Sequence, residues 1–171
     1  MKQSLFAKLL ALFTIASITP TAISQSSCPP QRNYCCVNDR DGVPITRIVT
    51  ARGVITMIRW VRTEDLPADL TPQHRCQQVS EQLQAYRDGS QLKYITGAIV
   101  NGQPAICVAK QRGGDCLRVL FNLKPGSDPK RALKKLLNQR GLSEGRNPLF
   151  EGGSRRFYLD MNDYLNEVTP D

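Results

Sequence analysis

Tyr94-Ile-Thr-Gly-Ala-Ile-Val100, then Asn101-Gly102, then Gln103-Pro-Ala-Ile-Cys-Val-Ala109 is the stretch that decides the fold. Asn-Gly accepts positive φ at both central positions of a two-residue turn whose twist suits antiparallel strands, so these runs predict a hairpin. Cys116 to Leu123 is a third strand-like run, reached through the turn-rich loop Lys110-Gln-Arg-Gly-Gly-Asp115, and the three together predict a meander. Upstream, Val43 to Thr50 and Val54 to Val61 are rich in β-branched residues and divided by Ala51-Arg52-Gly53, which predicts a second hairpin. In its second arm Ile58 and Trp60 share a face with Val54 and Thr56, while Met57, Arg59 and Val61 take the other. Apolar residues on both faces predict a strand covered, at least in part, on both sides.

Two helices separate and follow these strands. After the loop Glu64 to Leu70, Thr71-Pro72 supplies an N-cap and a proline with the φ a first turn needs. Cys76, Val79, Leu83 and Tyr86 then recur at helical spacing as a narrow apolar seam, and Asp88-Gly89 ends the run. Pro125-Gly126-Ser127-Asp128-Pro129 breaks the sheet and opens a second helix with Asp128 as cap, its apolar side formed by Leu133, Leu136 and Leu137. Gly141 to Gly153 reads as loop, Arg155 to Leu159 as a last strand and Asn162 to Asn166 as a short helical end. The fold class is α+β: a mostly antiparallel sheet, a hairpin plus a three-stranded meander, with two main helices.

The chain of 171 residues is 40% hydrophobic and 22% charged, an ordinary globular composition. Its start is not ordinary. Lys2 and Lys8, an apolar stretch from Leu9 to Ile18, Pro20 and the small-residue pattern Ala22-Ile23-Ser24 have the order of a secretory signal cleaved before Gln25. The apolar run is too short to span a bilayer comfortably, and Gln25 stands where a lipid-attachment site wants a branched apolar residue. The organisation read from the sequence is therefore a signal over 1–24, a polar leader over 25–34, one domain over 35–166 and a tail over 167–171. Removing 1–24 takes two lysines and no acid, so the formal charge of +8 falls by 2 to +6.

All six cysteines lie beyond the cleavage point, and an even number in an exported chain predicts three disulfides. No Cys-x-x-Cys pair occurs, and adjacent Cys35 and Cys36 point oppositely in extended chain, which argues against a metal site. With the turn centred near Gln111 and Arg112, Cys107 falls opposite Cys116, within bridging distance. For the other four, Cys36 with Cys76, tying the first strand to the helix, and Cys28 with Cys35, holding the leader, is the pairing put forward; the sequence leaves the alternatives among these four open.

Catalytic constellations are scarce. His74, the single histidine, sits in the first turn of a helix with no serine or cysteine nucleophile beside it. Asn38-Asp39-Arg40-Asp41-Gly42 opens like a calcium loop, but Ile48 occupies the position of the bidentate glutamate, and an Asx turn explains the same residues. Gly113-Gly114 and Gly152-Gly153 lack the Gly-Lys-Ser/Thr of a phosphate loop. No cofactor and no metal are expected. The basic residues carry the functional content: Lys130, Arg131, Lys134 and Lys135 occupy two adjacent i, i+4 rows opposite the leucines, and Arg155 with Arg156 forms a second cluster. They suit an anionic membrane surface or an acidic protein, at about 1 kcal/mol per cation near a charged bilayer; the rival is an ordinary solvated helix face. Nucleic acid is set aside, because export separates the chain from it and aromatics make up only 6%. An exported hydrolase is the enzymatic alternative, with Glu64, Asp65 and Asp69 or Asp160 and Asp163 as its carboxylates. A purely structural disulfide-rich module is the third reading.

These segments resemble the circadian oscillating protein (COP) family of cyanobacteria, twenty-three-kilodalton type. The resemblance is carried by Gly42-Val43-Pro44, Ile58-Arg59-Trp60-Val61, Thr71-Pro72-Gln73-His74-Arg75-Cys76, Asn101-Gly102-Gln103-Pro104 and Ile106-Cys107-Val108-Ala109. It continues through Gly113-Gly114-Asp115-Cys116, Leu120 to Pro129 and Tyr158-Leu159-Asp160-Met161-Asn162, spanning Cys36 to Leu165. It implies an exported, peripherally membrane-associated protein whose namesake varies in abundance with the daily cycle; taken with the scarcity of catalytic groups, the expectation is a non-enzymatic protein of periplasm, thylakoid lumen or cell exterior. It supplies no catalytic residues. This chain departs from the family pattern at Cys28, at the doubled Cys35-Cys36 and in the density of cations after Pro129.

Overall fold

The computed structural model describes residues 27–137, 149–151 and 156–171; the export signal expected over 1–24 lies outside them. Strands β1 (Tyr34–Asn38), β2 (Pro44–Thr50) and β3 (Gly53–Arg59) form one antiparallel sheet in that order. The second sheet has the order β6-β5-β4-β8-β7, with β4 (Tyr94–Val100), β5 (Gln103–Ala109), β6 (Arg118–Asn122), β7 (Leu149–Glu151) and β8 (Phe157–Asp160). Helices α1 (Pro72–Asp88) and α2 (Pro129–Leu137) and the short α3 (Met161–Glu167) complete an α+β domain. One main core receives residues from both sheets and all three helices, including Trp60, Leu83, Ile95, Leu133, Phe157 and Tyr164.

The Asn-Gly hairpin forms as its chemistry requires, with φ of 50° at Asn101 and 78° at Gly102 and every pair from Tyr94–Ala109 to Val100–Gln103 in register. Glycine at mid-strand has its own reason: a Cβ on Gly97 would lie 2.6 Å from the Pro129 backbone, so only glycine lets α2 cross β4 that closely. Both helix caps form too. Thr71 Oγ1 accepts from the His74 amide at 3.2 Å, and Asp128 Oδ1 accepts from the Lys130 amide at 2.9 Å.

The faces of β3 differ from the alternation read above. Thr56 pairs with Arg47 and Ile58 with Thr46, so Met57 is an extra residue and a β-bulge shifts the phase there. Ile55 and Met57 before the shift, and Ile58 and Trp60 after it, all enter the main core, while Val54, Thr56 and Arg59 are only half-buried. The doubled apolar pattern of β3 marks a bulge, not a strand covered on both sides. The outer face of this sheet does bury a small cluster, Cys35, Val37 and Ile45, but on β1 and β2.

The chain ends are also more integrated than a leader and a tail. Tyr34 belongs to β1 and is buried; the amides of Asn33 and Tyr34 both donate to Gln84 Oε1 on α1 at 2.9 Å. At the other end the Asp171 amide donates to the Val54 carbonyl at 2.7 Å, and Arg52 donates to the carbonyls of Asn166 and Val168. Of the segment read as loop over Gly141 to Gly153, residues 149–151 are β7, which pairs with β8; the rest lies outside the described residues. The last strand begins at Phe157, two residues later than expected, and α3 runs one residue further at each end than its expected span.

Three disulfides join Cys28 to Cys35, Cys36 to Cys76 and Cys107 to Cys116, with Cα separations of 5.6, 5.4 and 5.7 Å. Adjacent Cys35 and Cys36 serve opposite faces of β1, one packed with the outer cluster and one against the main core. The third bridge is not the cross-strand pair its derivation assumed. Cys107 lies opposite Val119, β6 starts only at Arg118, and a bulge at Leu120 offsets the ladder, so Cys116 reaches Cys107 from the loop.

Candidate functional site: the basic side of the second helix

Helix α2 sorts its residues cleanly. Ala132, Leu133, Leu136 and Leu137 are buried, and the four cations fall on the other side. Their surroundings differ from one another. Arg131 is exposed and makes no ion pair among the described residues, whereas Lys130 and Lys134 are half-buried. Lys134 Nζ sits 5.0 Å above the Phe157 ring, a cation–π arrangement that keeps its charge at the helix shoulder. Lys135 Nζ lies 3.4 Å from Glu64 Oε1 and 3.7 Å from Asp65 Oδ2.

The second basic cluster does not join this face as a unit. Arg156 pairs with Asp115 at 3.0 Å, beside the loop that also accepts the Tyr158 hydroxyl at Gly114, and Arg155 lies outside the described residues. Among the described residues the basic surface of α2 therefore consists of Lys130, Arg131, Lys134 and Lys135. Exposed ion pairs of this kind are worth at most about 1 kcal/mol, so an external anion competes readily for Lys135 and Arg156.

Four of the five carboxylates weighed for hydrolysis have structural employment; Asp163 contributes only its backbone amide, to the Asp160 cap. Glu64 and Asp65 face Lys135 across a cleft of about 430 Å³ floored by Leu66, Leu123 and Leu136. Asp69 lies 3.4 Å from the guanidinium of buried Arg75. Asp160 caps α3, accepting from the amides of Asn162 and Asp163 at 2.9 and 3.3 Å; its hydrogen bond to Tyr94, together with burial, raises that phenol. His74 is exposed, and only its backbone amide is used, by the Thr71 cap.

The loop Asn38 to Gly42 is an Asx turn. Asp39 Oδ1 accepts from the amides of Asp41 and Val43, each at 2.9 Å, while Asp39 Oδ2 takes Arg59 Nε at 2.7 Å and Asp41 Oδ2 takes Arg59 Nη2 at 3.1 Å. A guanidinium thus fills the place between these carboxylates. Burial raises the Asp39 carboxyl, but the hydrogen bonds from Arg59, Val43 and Asp41 outweigh it and hold it below its ordinary value. The sequence carried half of this arrangement, the alternating aspartates; its partner Arg59 lies twenty residues away, on the strand that the register brings alongside.

Buried polar links were the part sequence reasoning missed. Trp60 Nε1 donates to Thr46 Oγ1 at 2.8 Å, and Thr46 Oγ1 meets Ser80 Oγ at 3.0 Å, which joins β3, β2 and α1 inside the core. Among the described residues no cluster of three or more His, Cys, Asp or Glu side chains could hold a metal, and no helix is long and apolar enough to cross a membrane.

No curated protein and no solved structure matches the chain. A family model does, over residues 33–166, which runs from the Asn33 that anchors β1 on Gln84 to the last turn of α3. The match covers both sheets, all three helices and the two bridges nearest the core, and on it the chain belongs to the family of Circadian oscillating protein COP23.

Proposed function

We propose that this is an exported, non-catalytic binding domain that meets an anionic surface with the outward side of α2. The observation that supports it is the division of that helix: four apolar residues are spent on the core, while Arg131 and its basic neighbours lie on the opposite side. Cations held on a rigid helix attract an anionic bilayer at about 1 kcal/mol each, and the attraction weakens with salt. Three disulfides support export, since such bridges persist in oxidising compartments. Binding is favoured over hydrolysis because Glu64, Asp65, Asp69 and Asp160 are each committed to an ion pair or a cap. The cyanobacterial source, the peripheral membrane location and an abundance that follows the daily cycle come to this chain through the family.

Co-sedimentation with vesicles of phosphatidylglycerol and phosphatidylcholine tests the reading. The chain should pellet at low salt, stay soluble at high salt, and lose binding when Lys130, Arg131, Lys134 and Lys135 are all changed to Gln. Retention on immobilised polyglutamate with no vesicle binding would assign the surface to an acidic protein. Salt-insensitive pelleting, or none on either support, overturns the proposal.

A further inference from the structure

The segment between β3 and α1 lies between two cavities that share Val61, Arg62, Thr63 and Leu66 in their walls and differ in that only one of them has carboxylates. On the α2 side, Glu64 and Asp65 answer Lys135. On the α1 side lies a cavity of about 230 Å³ whose lining contains Arg62, Arg75 and Lys124 and no carboxylate. The three cations come from three places: the loop after β3, the first turn of α1 and the second residue past β6. Arg62 and Lys124 make no ion pair among the described residues.

Arg75 is the unusual member. It is 5% exposed, and its Nη2 is held by the Pro67 carbonyl and, at 3.4 Å, by Asp69, a carboxylate that is itself 72% exposed. The described residues give its other two guanidinium nitrogens no hydrogen-bond partner, and Arg75 is one of the residues that line the cavity. A buried guanidinium needs more than one loose counter-charge, and its planar fork suits two oxygens of one oxyanion. Trp60, Leu66 and Leu70 supply an apolar wall. The volume falls below the roughly 300 Å³ at which drug-sized pockets begin, so the cavity suits a metabolite-sized molecule.

We infer that this cavity binds a small organic oxyanion, its carboxylate or phosphate on Arg75, Arg62 and Lys124 and its apolar part against Trp60. The site shares no residue with the basic side of α2, so the two proposals stand or fall separately.

Trp60 is the single tryptophan of the chain and, although buried, is one of the residues lining the cavity, so its fluorescence serves as the probe of occupancy. The full chain is titrated with inorganic phosphate and, separately, with propionate, at ionic strength held constant with sodium chloride. A saturable change in Trp60 emission, accompanied by a rise in Tm, is expected for at least one of them. A phosphate response alone names a phosphate ligand, and a propionate response alone a carboxylate. In Arg62→Gln/Lys124→Gln, whose residues lie on the rim, the unliganded Tm should hold and the apparent Kd should rise at least tenfold; Arg75→Lys should weaken binding while keeping the buried charge. Quadruple substitution on α2 should leave the titration unchanged. Responses matched by chloride alone, or an unchanged Kd in the rim variant, overturn the inference.

Discussion

Helix α1 meets the first sheet through Cys76, Ser80 and Gln84, that is, through a disulfide to β1, a hydroxyl pair to β2 and an amide that receives the N–H groups of Asn33 and Tyr34 at the start of β1. Helix α2 meets the second sheet through leucines and a proline laid on Gly97, with no covalent or buried polar tie among its core-facing residues. The longer helix has the narrower apolar seam, and its core-facing side docks with the help of directional bonds; the core-facing side of the shorter one is wholly apolar, and its polar contacts lie on its outer side. Directional bonds fix register and angle, whereas burial tolerates sliding, so the two ends of the domain resist disturbance in different ways.

The largest effect should come from the covalent tie. Replacing Cys36 and Cys76 together by Ala opens a 40-residue loop and is expected to cost about 4 kcal/mol in chemical denaturation. A cost as small as that of losing the short Cys28–Cys35 loop would break the contrast between the helices. Next, Leu133→Ala on α2 should cost about 3 kcal/mol and strip hydrogen-exchange protection from α2 before α1. Equal loss in both helices would show that they unfold as one unit and that the mode of docking is immaterial. Third, Gln84→Met keeps the volume but leaves the Asn33 and Tyr34 amides without their acceptor, at about 2 kcal/mol, seen as exchange at the start of β1.

The smallest effects are those of pH, and they sharpen the comparison because both fall on the first sheet, Tyr34 on β1 and Asp39 just after it. The Asp39 carboxyl is held below its ordinary value in the fold, so its stabilisation is complete above the ordinary carboxylate range and fades as pH falls through the lowered value. Asp39→Asn should flatten the acid limb of a Tm–pH curve. Tyr34 shows the opposite sign. Burial, against a lowering field from Arg87, pushes its phenol from 10.0 to about 12, so stability is full below 10 and is lost as pH climbs toward 12. Tyr34→Phe should remove the Tyr34 share of the alkaline dependence, leaving that of buried Tyr164, and leave the acid limb untouched.

Local chemistry was readable wherever one short stretch contained the whole cause. Asn101-Gly102, the Thr71-Pro72 and Asp128-Pro129 helix starts and the leucines of α2 each act within a few residues, and the structure uses all of them as read. The faces of β3 were not readable, because Met57 is identified as a bulge only by the position of Arg47 and Thr46 on the neighbouring strand. The candidate site divides along the same line. That Lys130, Arg131, Lys134 and Lys135 share a helix side follows from periodicity, but that Lys135 faces Glu64 and Asp65, and Lys134 the Phe157 ring, depends on packing between distant segments.

The sequence by itself determined the class of fold, the caps, the Asn-Gly turn and the segregation of charge on α2, since each arises from backbone preferences or side-chain periods that act at short range. Only the tertiary structure decided the phase of β3, the clamp of Arg59 on Asp39 and Asp41, the polar chain from Trp60 to Ser80 and the gathering of Arg62, Arg75 and Lys124 around one cavity. Those depend on which residues meet across strands and loops, and such meetings are set by the whole core closing at once.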